Sequence, residues 1–262
     1  MTGSSPTEPR WRRALRAVAD VRRGEWSLAL SFAAFFFLVI ATFWILKPLR
    51  TSQFLGALGA KHLPWARFVT ACLILPVGAL VAWLSTRVRR RTLLLGTMAF
   101  WGAGHLAFWV LDPLLPPAWV HVPFYFWVDL YVTTSVALFW SFVNEHVTSD
   151  MAKRLFGIVG AGGMVGGILG SSLSGFLAPA FGGRNLLLLT LGTTTATFLV
   201  ILVLEKRLRR WRAACAVETP ATEGPGVRAA WDGAAMVVRS PYMLGILAIV
   251  LALTCVGIPI AI

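Results

Sequence analysis

Charged residues are scarce in this 262-residue chain, and acidic residues are the scarcest. Asp, Glu, Lys and Arg make up 13% of the sequence, and only 11 residues are acidic. Soluble domains carry nearer a quarter charged residues. Hydrophobic residues reach 57% and the mean hydropathy is +0.74, which is more apolar surface than a soluble chain of this length buries. The composition excludes an ordinary soluble domain and indicates an integral membrane protein.

Cysteine is also rare, and the usual catalytic motifs are missing. The three cysteines, Cys72, Cys215 and Cys255, are too scattered for a metal site or a disulfide framework. No H-E-x-x-H, paired-cysteine or G-x-S-x-G motif occurs, so hydrolase and metalloenzyme functions have no support. We expect no enzymatic activity, no metal and no cofactor.

Long apolar runs are what the chain has instead. Crossing about 30 Å of hydrocarbon takes roughly 20 apolar residues. Six runs reach that length, and a seventh extends to the last residue. They cover residues 26–46, 63–84, 92–111, 122–143, 155–181, 185–204 and 241–262. We therefore predict an all-α integral membrane protein with six spans and the start of a seventh.

The connections between these spans are short except for one. We predict a basic N-terminal segment at 1–25 with a short amphipathic helix, a six-span bundle at 26–204, a cytoplasmic loop at 205–240 and a truncated seventh span at 241–262. Six spans followed by a long loop and a further helix is the plan of major-facilitator transporters, whose halves are related by pseudo-symmetry. The predicted fold is the six-helix N-terminal bundle of such a transporter, with a seventh helix at the C-terminus.

Basic residues are concentrated on one side of the predicted membrane. All but five of the 24 lysines and arginines precede span 1 or lie in the 2–3, 4–5 and 6–7 connections. This asymmetry follows the positive-inside rule with a cytoplasmic N-terminus. We expect no nucleic-acid binding despite the net charge of +13. The basic residues are placed as membrane topology requires, and the lipid bilayer is the expected partner. The excess of arginine over lysine suggests a GC-rich bacterial genome, and we expect the chain to lie in a bacterial inner membrane.

The 2–3 connection carries a recognisable pattern. AWLSTRVRRR at residues 82–91 resembles the major-facilitator loop signature G-x-L-a-D-R-x-G-R-R, which Leu84, Arg87, Arg90 and Arg91 match. Lys153 and Arg154 lie on the same side of the predicted membrane, just before span 5. The alternative is that these cations only enforce topology.

Ionisable residues within the spans are the candidates for a solute site, because charges in lipid are costly. Asp129 lies roughly 10 Å into span 4 at 1.5 Å per residue. Lys47 and Arg50 share a face if span 1 continues as a helix. Two cations beside a carboxylate would bind an anionic solute. The alternatives are a solvated or paired Asp129 and cations that extend to the interface. His105 in span 3 is expected to be packed and hydrogen-bonded, with a proton relay as the alternative.

Eight glycines fall between Gly157 and Gly175, but their spacing does not form a phosphate loop. No lysine follows them, and Val165 takes the third glycine position of G-x-G-x-x-G. Glycines four residues apart let helices approach closely in lipid. The pattern predicts a close-packing face on span 5 formed by Gly162, Gly163, Gly166, Gly167 and Gly170.

Three stretches resemble a known family. FWSFVNEHVTSDMAKRLFGIVGAGGMVGGILGSSLSG at 139–175 resembles the span 4–5 junction of bacterial relatives of the ATP/ADP translocase, or nucleotide-transporter, family. FWILKPLR at 43–50 and FYFWVDLY at 124–131 resemble its spans 1 and 4. The resemblance implies a nucleotide antiporter of the major facilitator superfamily. Lys47 and Asp129 are the nearest matches to the lysine and the acidic residue implicated in exchange.

Two functional hypotheses follow. The first is a polytopic transporter that moves a small anionic solute, such as a nucleotide or a phosphate compound, by alternating access, with Lys47, Arg50 and Asp129 at the site. The second is a truncated or half-size membrane module that does not transport alone and needs a missing C-terminal half or a partner chain. It is motivated by the chain's end at GIPIAI, within the predicted seventh span.

Overall fold

The computed structural model describes residues 26–215, which form six long α-helices. A short 3₁₀ helix, Ala60–His62, joins the first two, and no strand occurs in this range. The helices are α1 (Trp26–Leu58), α2 (Leu63–Arg87), α3 (Arg90–Leu111), α4 (Pro117–His146), α5 (Ser149–Phe181) and α6 (Gly183–Cys215). The predicted all-α class with six membrane-length helices is confirmed. The predicted seventh span and the segment 1–25 lie outside the described residues.

Each of the six helices is long and apolar enough to cross a membrane. The longest have 33 residues, or about 50 Å at 1.5 Å per residue, which exceeds the hydrocarbon thickness. α6 continues to Cys215, past residue 204, where we predicted a loop. Leu208 is buried and Trp211 packs against the core, so apolar contacts extend the helix through its basic sequence. The chain is an integral multi-pass membrane protein.

Consecutive helices run antiparallel because their connections are short. The starts of α1, α3 and α5 therefore lie at one end of the bundle with the ends of α2, α4 and α6. Arg207 near the end of α6 donates hydrogen bonds to Ser27 O at 3.0 Å and Ser31 Oγ at 3.1 Å, near the start of α1. We name this the basic end. Its described cations are Arg87, Arg89, Arg90, Arg91, Lys153, Arg154, Lys206, Arg207, Arg209 and Arg210.

α1 is the central helix of the bundle. It packs against α4, α5 and α6, whereas α3 packs mainly on α6 and α2 mainly on α4. Aromatic rings carry much of the α1–α4 contact, including Phe35 and Phe139, whose centroids are 5.0 Å apart in an edge-on arrangement. Of the residues in the most apolar part of each span, 56% are buried within the bundle in α1 but only 6% in α2. α2 therefore presents its apolar surface outward.

The glycine-rich face of α5 lies directly on the backbone of α1. A Cβ atom added at three of these glycines would lie 2.5–2.7 Å from a carbonyl oxygen of α1, whereas carbon and oxygen atoms normally stay about 3.3 Å or more apart. The pairs are Gly162 with Ala33, Gly166 with Phe37, and Gly170 with Ala41. Because both sets of residues are four apart, two straight rows of backbone run side by side.

Two further glycines of α5 accommodate aromatic side chains of α1. The ring of Phe36 covers Gly163, and the Trp44 indole lies over Gly167, with its Nε1 3.2 Å from where a Cβ would lie. The five glycines singled out in the sequence therefore all contact α1. Because these glycines have no side chain, the backbones of α5 and α1 can approach each other closely.

Candidate functional site

Arg50 and Asp129 form an ion pair between α1 and α4, away from the basic end. Arg50 Nη1 contacts Asp129 Oδ2 directly, and the two side chains are 10% and 19% exposed. The same Nη1 donates to the Tyr125 carbonyl oxygen at 3.3 Å, and the guanidinium carbon lies 4.5 Å from the centre of the Tyr125 ring. Arg50 is therefore fixed by three contacts to one turn of α4.

Arg50 reaches this position because α1 continues well past the predicted end of span 1. Pro48 lies inside the helix without ending it, and the Thr51 hydroxyl donates to Lys47 O at 3.0 Å across the same turn. Phe54 is buried one turn later, against the Tyr125 ring at a centroid distance of 4.7 Å. Packing on both sides of Arg50 holds the helix together through the proline.

Lys47 does not join the ion pair. Its Nζ lies 4.3 Å from the centre of the Trp44 ring and 5.7 Å from that of Phe43, and it has no salt bridge to any residue in 26–215. The ammonium group is therefore held by cation–π contacts, which allow an anion to approach it. Of the three predicted site residues, the structure brings Arg50 and Asp129 together and leaves Lys47 about one helical turn away.

Arg50 retains hydrogen-bonding capacity that the bundle does not use. Its buried Nε has no hydrogen-bond partner among the described residues. A guanidinium offers five N–H donors in a planar fork that matches a carboxylate or a phosphate. A phosphate or carboxylate that reached Arg50 would find its Nε–H without a partner among residues 26–215 and would compete with Asp129 for the other donors.

A layer of hydroxyl groups lies between this ion pair and the basic end. The Thr42 and Thr193 hydroxyls are 2.6 Å apart, and Tyr131 donates to Val39 O at 3.4 Å. His105 is fully buried with Nδ1 3.4 Å from Thr194 Oγ1. His105 is thus packed and hydrogen-bonded, as the sequence suggested. Its Nε2 has no partner among the described residues.

The arginines of the 2–3 connection tie α3 to its neighbours. Arg90 Nη1 donates to Ser141 Oγ on α4, while its Nε lies 3.2 Å from Glu145 Oε2, close enough for an ion pair but not aligned as a hydrogen bond. Arg91 Nε pairs with Glu205 Oε2 of α6 at 2.8 Å. These contacts give the two arginines a structural role at the basic end.

The remaining cations singled out at this end lie near the surface. Arg87 stacks near the Trp83 ring, with its guanidinium carbon 5.6 Å from the ring centre. Lys153 Nζ is 3.4 Å from Asp150 Oδ1 in an exposed pair, and Arg154 also makes a contact in the structure. Exposed pairs contribute little to stability.

Comparisons with known proteins were made at three levels. No protein-family model, curated protein or solved structure matches this chain. The function must therefore be argued from the residues themselves. Within residues 26–215, no three His, Cys, Asp or Glu side chains cluster as a metal site would require.

Sequence reasoning missed three partners of the predicted site residues. Tyr125 precedes Asp129 by four residues and so shares its helix face, which was a usable signal. Glu145 and Glu205 are among only 11 acidic residues, and that scarcity in a basic chain was a second signal. Their particular partners depend on how the helices pack.

Proposed function

We propose that this chain is part of a major-facilitator-type transporter, similar to nucleotide translocases, that exchanges a small anionic solute across a bacterial inner membrane with its N-terminus in the cytoplasm. The observation that carries the proposal is the buried Arg50–Asp129 ion pair. Lys47, which lacks an anionic partner in the described range, adds a second cation close by. The resemblance to the ATP/ADP translocase family favours a nucleotide or a phosphate compound as the solute.

A buried ion pair is a costly way to join two helices. Desolvation of the two charges offsets much of their attraction, and well-packed neutral side chains often stabilise a protein as well or better. Charged residues inside spans are therefore expected to have a functional reason. For Arg50 and Asp129, exchange of partners supplies one.

In the proposed cycle, Asp129 neutralises Arg50 while the site is empty. An incoming phosphate or carboxylate group accepts hydrogen bonds from the unused donors of Arg50 and from Lys47, and weakens the contact with Asp129. Once Arg50 no longer pairs with Asp129, the contact between α1 and α4 at that end loosens. Solute binding is thereby coupled to helix movement. No hydrolysis is needed, because the gradients of the exchanged solutes drive the cycle.

The test is counterflow of labelled ATP, ADP or phosphate into proteoliposomes that contain the protein. Arg50→Gln and Asp129→Asn each leave one buried charge unpaired, which costs about 3–5 kcal/mol. The double variant leaves none, so we expect it to regain thermal stability. We expect counterflow to stay at background in the double variant and to fall in Lys47→Ala.

The matched control is Lys61→Gln, which removes an exposed cation at the same end of the bundle and should leave counterflow unchanged. Full counterflow in a stable double variant would show that the ion pair is only a helix contact. Unchanged exchange in Lys47→Ala would remove Lys47 from the site.

A second candidate is a half-size module that needs partner helices. The observation in its favour is the outward-facing surface of α2, where Trp65, Phe68 and Leu75 are all exposed. The mass of the detergent-solubilised chain, measured by light scattering, and counterflow by the chain alone distinguish the two functions. A monomer that transports unaided would contradict the module; a stable oligomer without counterflow would favour it.

A further inference from the structure

A cleft opens between α3 and α6 at the basic end of the bundle. It has a volume of about 640 Å³ and is lined by three arginines: Arg89 just before α3, Arg91 in its first turn and Arg209 near the end of α6. The floor beneath them is formed by Leu95, Gly96, Ala99 and Phe198. Cationic groups thus surround the mouth, and apolar or small residues form the base.

The cleft continues as an apolar groove along the outside of the bundle. A second cavity of about 190 Å³ shares Ala99 and Phe198 with the cleft and extends between the same two helices to Ala103 and Leu191. The lining runs from Thr92 to Ala103 along α3, which is about 16 Å at 1.5 Å per residue. That length is close to half of the roughly 30 Å hydrocarbon core, or one leaflet.

The charges at the mouth are only partly neutralised. Arg91 pairs with Glu205, whose carboxylate also interacts electrostatically with Arg209, whereas Arg89 has no salt bridge to any residue between 26 and 215. Because a guanidinium carries five donors, Arg91 can bind a second anion beside Glu205. Three cations and one carboxylate leave a net charge of +2 at a membrane-facing surface, which attracts anionic lipid headgroups.

We propose that this cleft is a binding site for an anionic phospholipid. Its phosphate group is held by Arg89, Arg91 and Arg209, and one acyl chain lies in the groove over Ala99 and beside Phe198. The groove selects a lipid over a free anion, and the arginines select an anionic over a zwitterionic headgroup. The site is separate from Arg50 and Asp129 and does not depend on the proposed transport.

The experiment is native mass spectrometry of the full-length chain in detergent, titrated with phosphatidylglycerol, with phosphatidylcholine of the same chains, or with glycerol phosphate. We expect phosphatidylglycerol to bind at least about tenfold more tightly than either alternative. A basic side chain near an anionic lipid contributes about fivefold in affinity. Arg89→Gln with Arg209→Gln should therefore weaken phosphatidylglycerol binding about 25-fold.

Two further variants distinguish lipid binding in the cleft from general electrostatic attraction to the basic end. Lys206→Gln with Arg210→Gln removes two cations from the same end that do not line the cleft, and we expect less than a twofold change. Ala99→Phe fills the exposed groove and should abolish the preference for the lipid over glycerol phosphate. An equal loss of phosphatidylglycerol affinity in both double variants would contradict the proposed site and show that the overall charge of this end attracts the lipid. Glycerol phosphate binding as tightly as phosphatidylglycerol would reduce the site to a soluble-anion site.

Discussion

Replacing Gly166 with alanine adds a single methyl group at the closest approach of α5 and α1. The new Cβ would lie 2.5 Å from Phe37 O, 3.1 Å from its Cα and 3.2 Å from its carbonyl carbon. All three atoms belong to backbone within a helix, so no side-chain rotation can relieve the overlap. The helices must separate locally by about 0.8 Å to restore an ordinary carbon–oxygen distance of ~3.3 Å.

The cost of that separation follows from lost dispersion contacts. Each pair of touching atoms contributes about 0.1–0.2 kcal/mol of dispersion attraction, and a radial gap of about 0.5–1 Å removes a quarter to a half of it. If the contact involves as many atom pairs as one buried leucine, roughly 40 pairs are affected. The sum is about 1–4 kcal/mol, which overlaps the roughly 1–3 kcal/mol typical of overpacked cores. Alanine also gains up to about 1 kcal/mol in helix propensity over glycine. A control must remove that gain from the comparison.

Gly160→Ala is that control, since it lies on the same helix and its Cβ would meet nothing within 4 Å. The assay is intrinsic-fluorescence thermal unfolding in detergent, with the monodisperse fraction after heating measured by size-exclusion chromatography. We expect Gly166→Ala to melt clearly below Gly160→Ala. Gly163→Ala should fall between them, because the Phe36 ring that it meets can move. Equal melting temperatures for Gly166→Ala and Gly160→Ala would refute the close-packing argument.

Two other contacts give predictions of the same kind. A Cβ at Gly104 would overlap the Trp127 indole, whereas one at Gly192 would meet nothing within 4 Å; Gly104→Ala should therefore lower the melting temperature by the equivalent of about 1–3 kcal/mol and Gly192→Ala should not. A double-mutant cycle with Arg90→Gln and Glu145→Gln should give a coupling energy of about 1 kcal/mol that weakens with salt, and zero coupling at low salt would contradict the ion pair.

The existence of the helices was predictable, but the length of α1 was not. A run of twenty apolar residues between polar connections leaves little alternative in lipid. Lys47, Pro48 and Arg50 resemble a helix end, yet α1 continues to Leu58. It does so because Arg50 is neutralised by Asp129, and that partner belongs to a helix whose position the local sequence does not specify.

The same limit applies to the candidate site. A spacing of three residues placed Lys47 and Arg50 on one face, but they still differ by about 60° around the helix. That angle directs Arg50 to α4 and leaves Lys47 beside Trp44. Likewise, glycines four apart predicted that α5 has a close-packing face, but not that α1 covers it. Periodicity identifies a face of a helix, and only the arrangement of all the helices identifies its partner.

The central position of α1 has a consequence for how this protein is made. The contact between Ser27 and Arg207 joins residues 180 positions apart. At about 5–20 residues per second of synthesis, α1 is complete roughly 8–30 s before the end of α6 exists. In the first part of that interval, before α4 is made, the helix with the largest share of buried residues among those described has none of its main partners beside it. Assembly of the bundle is therefore a late event, completed when α5 and α6 dock on a helix that was inserted first.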